Sequence, residues 1–543
     1  MPRSLPKKWK TRRSDLLRCV PGLRPTGRRE PLTEAKNEVE GYDDSSVEAG
    51  VWQYAHARRV RVVVDGEDYF DLIQQAMLKA HQRILLIGWD FDTRIHLSRG
   101  RRWWQKGWKR EYPARLGSFI VWLSNHRPDL EIRILKWSYG VLKFFSRGSM
   151  MLDLARWAPH RRIDFKFDTA HPVGCSHHQK IVVIDDDFAV CGGIDMTTGR
   201  WDTREHKPED RRRKSPDGTS YKPWHDVTMM MEGEVAGALE KLGRKRWLRA
   251  GGKVLSAPEH DPGSAWPDGL EPHFEDVEIG IARTRAAYDG DEKVDEVEQL
   301  FLQQIAEAKD FVYAENQYFT SRTICEAIGK RLEEDNPPEF ILVMPKIADG
   351  WIEEQAMSPA RARLVQALEE LDKHDRFHLY VPYSADVPIY VHAKLTIVDD
   401  RILRIGSANM NNRSMGLDSE CDVFIDCDRP GNAKAKPTIT ALRHSLLAEH
   451  LGIREENVPE LIARYGSMAD MIDAAGDESH RHLMPFRPHV EDGILTELAD
   501  RQTFDPEEPE DLFDIRSPRH GLFRDGSLLA RARSRLSRKR TPA

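Results

Sequence analysis

Residues 178–195 read HQKIVVIDDDFAVCGGID, and residues 392–409 read HAKLTIVDDRILRIGSAN. The two stretches begin 214 positions apart, and their chemistry-bearing residues fall at identical offsets. In each, His and Lys stand two apart, four mostly apolar residues follow, and an Asp comes next. After six more residues a small-residue pair (Gly192 and Gly193, or Gly406 and Ser407) leads to Asp195 or Asn409. The runs 181–184 and 395–398 have the length and β-branched content of buried strands, and the Asp-rich segments behind them are turn chemistry. Each copy therefore reads as a hairpin. Side chains alternate across a strand, which puts His178 with Lys180, and His392 with Lys394, on one face each. Five such positions coincide by chance in roughly one window per million, so the repeat is a duplication.

Duplication does not explain the choice of residues. Lys keeps its proton near neutral pH and is a poor metal ligand, so His beside Lys indicates an anion rather than a metal. A neutral imidazole is a nucleophile or base, its protonated form is an acid, and Lys, Asn or backbone N–H groups beside small residues can hold a phosphate. Two facing half-sites would supply one His to attack phosphorus and one to protonate the leaving oxygen. No metal-ligand spacing is evident, and no metal and no cofactor are expected.

These residues resemble the phospholipase D superfamily, whose signature is a pair of His-x-Lys-x-x-x-x-Asp motifs followed by Gly-Gly or Gly-Ser. The resemblance extends into GGIDMTTGRWDT at 192–203, PWHDV at 223–227, ENQYF at 315–319 and IGSANMNNRSMGLDSE at 405–420. It covers roughly 60–450 and is nearer the phospholipase D branch than the nuclease branch. It implies an α/β fold of two homologous α/β/α sandwich lobes related by a pseudo-twofold axis, with the active site between them. The catalytic motif residues are then His178, Lys180, Asp185, His392, Lys394 and Asp399. His178 is the nucleophile and His392 the acid. Lys180, Lys394, Asn409 and Ser407 bind phosphate, Asp226 and Glu420 orient the two imidazoles, and Gly192, Gly193, Asp195 and Gly406 give structural support. Asp185 and Asp399 are expected to brace their turns rather than touch phosphate.

The repeat is visible beyond the motifs. Residues 68–92 and 296–319 each pair a helical apolar period with a short strand. EIRILKW at 131–137 and EFILVMP at 339–345 read as second strands, RIDFKF at 162–167 and RFHLYV at 376–381 as third strands, with helices such as 114–125 and 358–373 between them. The expected organisation is an N-terminal extension at 1–50, a first lobe at 51–254, a linker at 255–275, a second lobe at 276–454 and a C-terminal region at 455–543. Residues 200–223 read as a polar insertion, and the last 20 or so residues as disordered.

The chain of 543 residues is 40% hydrophobic, enough for two cores. Its 82 Lys and Arg against 88 Asp and Glu give a net charge of −6, which argues against nucleic acid as a partner. Six cysteines show no CxxC pair or disulfide framework and read as buried thiols. Neither a secretory signal nor an apolar run of about 18 residues is seen, so the expectation is a cytoplasmic monomer with peripheral membrane association. Its partner is a phospholipid at a membrane surface, for which SRGRRWWQKGWKR at 98–110 and YGVLKFFSRGSMM at 139–151 offer interleaved aromatic and basic residues. Within the resemblance, the leading activity is hydrolysis or transphosphatidylation of phosphatidylcholine-like lipids. The alternatives are a cardiolipin-synthase-like phosphatidyltransferase or another phosphodiesterase. A non-catalytic binding module would be expected to lack one His or Lys, and both pairs are complete.

Overall fold

The computed structural model describes residues 45–97, 112–137, 148–258, 263–347, 351–475, 480–486, 500, 502, 505–507 and 521–540. All of them belong to one unit, Asp44–Ala543. The proposed membrane-facing stretch 98–110, and 139–147 of the second one, lie outside the described residues.

Nineteen strands are described. In the first half they are β1 (Gln53–Val64), β2 (Arg83–Gly88), β3 (Glu131–Trp137), β4 (Ile163–Asp168), β5 (Ile181–Ile184), β6 (Phe188–Gly192), β7 (Trp224–His225) and β8 (Val227–Glu232). The second half supplies β9 (Phe274–Arg285), β10 (Val294–Asp295), β11 (Phe311–Glu315), β12 (Glu339–Val343), β13 (Phe377–Ser384), β14 (Val387–Pro388) and β15 (Tyr390–Val391). It continues with β16 (Leu395–Val398), β17 (Ile402–Gly406), β18 (Glu420–Asp426) and β19 (Arg481–Pro485).

The apolar runs RILLIG, EIRILKW and IVVI are buried on both faces, as strands covered by helices on each side must be. β2, β3 and β4 are parallel neighbours, and so are β11, β12 and β13. Parallel strands need crossovers, which the helices Leu116–His126 and Gly148–Trp157 supply in the first half, and Arg322–Leu332 and Trp351–Leu371 in the second. Hydrogen bonds run without a break along β4, β3, β2, β5, β6, β8, β1, β9, β18, β17, β16, β11, β12 and β13. Read outward from the antiparallel β1–β9 junction, the two sides carry corresponding strands in the same order. The fold is thus a pseudo-twofold pair of α/β halves sharing a central mixed sheet.

Two cores flank the junction. The first gathers Ile73, Phe119, Ile132 and Ile184, and the second Phe301, Ile328, Phe340 and Leu364. Within the expected linker, Ala265 and Trp266 are buried in the first core, with the Arg59 guanidinium 4.8 Å from the Trp266 ring. The expectation of a disordered C-terminus needs correction. Leu528–Arg540 is a helix whose Leu528, Leu529 and Ala532 enter the second core. Its arginines hid that apolar stripe, because mean composition is blind to which face a residue takes. Five cysteines are described as free and buried. No helix among the described residues is long and apolar enough to cross a membrane.

Candidate active site

Both repeated motifs are hairpins, and their aspartates explain the turns. Asp185 and Asp186 lie at φ 55° and 59°, Asp399 and Asp400 at φ 53° and 51°. Two consecutive left-handed residues make the tight turn whose twist matches a hairpin, and Asp tolerates that region. Asp185 accepts the N–H groups of His81, Gln82 and Arg83 at 2.7, 2.7 and 2.6 Å. Asp399 accepts those of Lys309, Asp310 and Phe311 at 2.8, 2.9 and 2.8 Å. Each fixes the start of the neighbouring antiparallel strand, β2 or β11, at the far end of the hairpin from its His. The place of Asp185 and Asp399 among the catalytic motif residues is structural.

The lead-in to each hairpin is stitched to the opposite half. β15 pairs in parallel with β7, Tyr390 beside Trp224 and Val391 beside His225, and the His392 N–H donates to His225 O at 2.8 Å. That register delivers His392 Nδ1 to Asp226 Oδ2 at 2.7 Å. Symmetrically, His177 bridges Ser419 and the His178 N–H donates to Ser419 O at 2.9 Å, setting His178 Nδ1 3.1 Å from each Glu420 carboxylate oxygen. The orienting carboxylates are therefore exchanged: Asp226 of the first half serves the second-half His, and Glu420 the first-half His. Gly193 makes room for this, since a Cβ there would lie 2.0 Å from Asp226 Oδ1, and at Gly406 one would lie 1.9 Å from Asp422 Oδ1.

Both lysines are buried beside the imidazoles. Lys180 donates to His178 O at 2.8 Å and lies 3.4 Å from Asp195 Oδ2, while Lys394 donates to Gln317 Oε1 at 3.1 Å and to His392 O. Asp195 Oδ1 also accepts the Trp89 and Asp90 N–H groups, the supporting part expected of it. Asn409 is buried with an Oδ1 that has no hydrogen-bond partner, and its N–H donates to Ser414 Oγ at 3.1 Å. Ser407 departs from expectation. Its hydroxyl donates to Glu420 Oε2 at 2.5 Å, as Ser414 does to Oε1 at 2.7 Å, so it positions the carboxylate rather than binding phosphate.

Burial, then Lys180 and Lys394, hold the His178 imidazole well below its ordinary range. Burial, then Lys394, Arg200 and Lys180, do the same to His392. Each imidazole thus feels both lysines, so the two half-sites lie close enough to act on one another. Burial pushes Glu420 up to about 8 against the pull of Ser407 and Lys180. Burial lowers Lys394 to about 7 despite Asp226. A bound anion between the lysines would counter the field that keeps the imidazoles neutral.

Sequence reasoning assigned no role to several residues that the fold brings here. Trp224 stacks on Tyr390 at 4.6 Å and lies 5.1 Å from the His392 ring, with the Arg200 guanidinium 4.1 Å from its centroid. Trp89 meets His178 edge-on at 6.3 Å and stacks on Trp137 at 5.8 Å. Arg200, Trp224 and Gln317 sit inside the quoted family segments, which was the available signal. Trp89 occupies the place after β2 that Gln317 occupies after β11, and only the strand pairing reveals it.

The family model described as phospholipase D matches residues 76–261 and 352–484, spanning both hairpins and their exchanged carboxylates. The chain belongs to the phospholipase D superfamily. Among curated relatives of this superfamily member, phospholipase D alpha 2 of Arabidopsis thaliana is 26% identical over 435 residues, 57% of this chain. The chain spans 54% of that relative's length. Phospholipase D alpha 1 of Nicotiana tabacum is 24% identical over 81% of this chain and 71% of its own, and phospholipase D1 of Saccharomyces cerevisiae 26% over 72% and 29%. Among solved structures, the phosphatidylserine synthase of Haemophilus influenzae matches 82% of this chain and 98% of its own, at 12% identity and a TM-score of 0.46.

Proposed function

We propose that the chain is a phospholipase D that cleaves the distal phosphodiester of a glycerophospholipid, releasing phosphatidic acid and a headgroup alcohol. The observation that carries this reading is the pair of imidazoles, each held at Nδ1 by a carboxylate of the other half with both lysines alongside. A carboxylate at Nδ1 keeps the N–H there and leaves the lone pair on Nε2.

His178 Nε2 attacks phosphorus, a P–N bond forms, and the P–O bond to the headgroup breaks. His392, protonated once the substrate anion offsets the lysines, gives its Nε2 proton to the leaving oxygen. Neutral again, it takes a proton from water or an alcohol, whose oxygen attacks phosphorus and expels His178. The assignment is supported by exposure, since the His178 side chain is 14% accessible against 5% for His392. The short Asp226 contact suits His392 to carrying positive charge. Lys180, Lys394 and Asn409 hold the nonbridging oxygens as charge moves onto them.

Purified protein given phosphatidylcholine in dilute ethanol is expected to form both phosphatidic acid and phosphatidylethanol. Headgroup exchange without hydrolysis would favour a phosphatidyltransferase, and neither product would reject this substrate class. The pH dependence follows from the same groups. Covalent attack needs Glu420 ionised, so kcat/KM rises through its value of about 8, and it needs Lys394 charged, so kcat/KM falls above about 7. The two limits cross, giving a narrow bell midway between them with limbs approaching tenfold per pH unit. In kcat the alkaline limb should move upward, because bound phosphate holds the Lys394 proton. A plateau from pH 6 to 9 in kcat/KM for a soluble substrate would exclude this pairing.

A further inference from the structure

Next to Asp226 in the chain, His225 points into a fully buried cluster. His206 Nε2 lies 3.0 Å from Glu449 Oε1 and 3.3 Å from Asp65 Oδ2. His225 Nδ1 lies 3.1 Å from the same Glu449 oxygen and 3.3 Å from Asp65 Oδ1. All four ligand atoms are within 4.8 Å of one another. Ligands about 2.0 Å from a tetrahedral zinc stand about 3.3 Å apart, so this ring has the size of such a coordination shell.

The far nitrogens are occupied too. His206 Nδ1 faces Asp202 at 3.1 Å, and His225 Nε2 faces Glu315 at 2.7 Å. A neutral imidazole has one N–H, yet each ring has carboxylate oxygen against both nitrogens. An imidazolium with two N–H groups would satisfy both, and so would a metal: the outer N–H donates to Asp202 or Glu315, and the inner lone pair goes to the ion, the arrangement that fixes ligand histidines in metal sites. An independent sign is Asp65 Oδ2, buried in a side chain 1% exposed and without a hydrogen-bond donor. Charge points the same way. Four buried carboxylates, Asp65, Asp202, Glu315 and Glu449, face two guanidiniums, Arg204 on Glu449 and Arg213 on Asp202 at 3.0 Å. One divalent cation makes up the difference, as protonation of both His206 and His225 would, and the metal content of the protein separates the two.

We propose that Asp65, His206, His225 and Glu449 bind a structural zinc ion. Two nitrogens and two oxygens with no open position suit zinc and a structural rather than catalytic role. The ion ties β7 to the helix Lys436–Leu451 of the other half, holding the residue before Asp226 and hence the register that presents Asp226 to His392. The sequence shows no metal-ligand spacing here because these residues are scattered from 65 to 449 and only the fold collects them. Zinc takes no part in the phosphorus chemistry.

The full chain, expressed with zinc and desalted, is expected to carry one zinc per chain by mass spectrometry of metals. X-ray absorption should show two imidazoles, oxygen and no sulfur in the shell. Stripping with dipicolinate should lower the melting temperature, and zinc sulfate should restore it. H206A should fall below a tenth of a zinc per chain. Should H206A not fold, the wild-type measurements decide alone. A folded wild-type chain without zinc, whose melting temperature responds to neither zinc nor chelator, would overturn the site. So would sulfur in the shell, or undiminished zinc in H206A.

Discussion

Lys394→Met is expected to lower turnover of a soluble phosphodiester by on the order of a hundredfold or more, with the fold retained. Methionine keeps the buried stem and removes the ammonium, so the change isolates charge. Lys394 is the more telling of the pair. Its described partners are an amide and a carbonyl, Gln317 and His392 O, whereas Lys180 stands 3.4 Å from the Asp195 carboxylate. A substrate phosphate would therefore take up the positive charge of Lys394 without competing against a carboxylate in direct contact. Loss of that charge should fall on kcat as much as on KM, because the nonbridging oxygens gain negative charge on the way to the transition state. Lys180→Met should fall in the same range while also freeing Asp195, which still caps the Trp89 and Asp90 N–H groups. Near-normal turnover in a folded Lys394→Met variant would remove that motif from the site.

Much of this architecture is legible in the sequence because it rests on local period. The expected strands at 131–137, 162–167, 339–345 and 376–381 appear as β3, β4, β12 and β13 within one to three residues, since unbroken apolar runs between turns have few other uses. The hairpins follow from their aspartates. What the sequence could not supply is which half each carboxylate serves. Asp226 and Glu420 were recognisable as orienting groups, but their exchange depends on the β7–β15 pairing, two residues on each side, and on the lone His177–Ser419 bridge. Neither has a periodic signature. The polar insertion at 200–223 hid its burial similarly. Asp202, His206 and Arg213 are at most 1% exposed, their polarity spent on one another rather than on solvent. Ser407 looked like a phosphate donor by its place beside Gly406, but the Glu420 carboxylate claims its hydroxyl first.

The exchanged carboxylates sharpen a test of which His carries phosphorus, a question the repeat alone makes symmetrical. Two displacements at phosphorus require a nucleophile, an acid in the first step and a base in the second, and one residue can be both acid and base. If His178 is the nucleophile, His392→Ala should lose turnover of a choline-type substrate by on the order of 10⁴-fold. Given a p-nitrophenyl ester, whose leaving group departs without an acid, the same variant should still react once. The adduct on His178 should then persist, because no base activates water to remove it. His178→Ala should trap nothing from either substrate, since Glu420, backed by Ser407 and Ser414, would face an empty position. Peptide mass spectrometry after a brief incubation locates the label. A phosphoryl or phosphatidyl group on His392 of the wild type, with none on His178, would reverse the two roles and leave the reaction class standing. Absence of any covalent adduct on either His in a quenched reaction of both variants would instead point to a single displacement by water, and the phosphohistidine step would have to be abandoned.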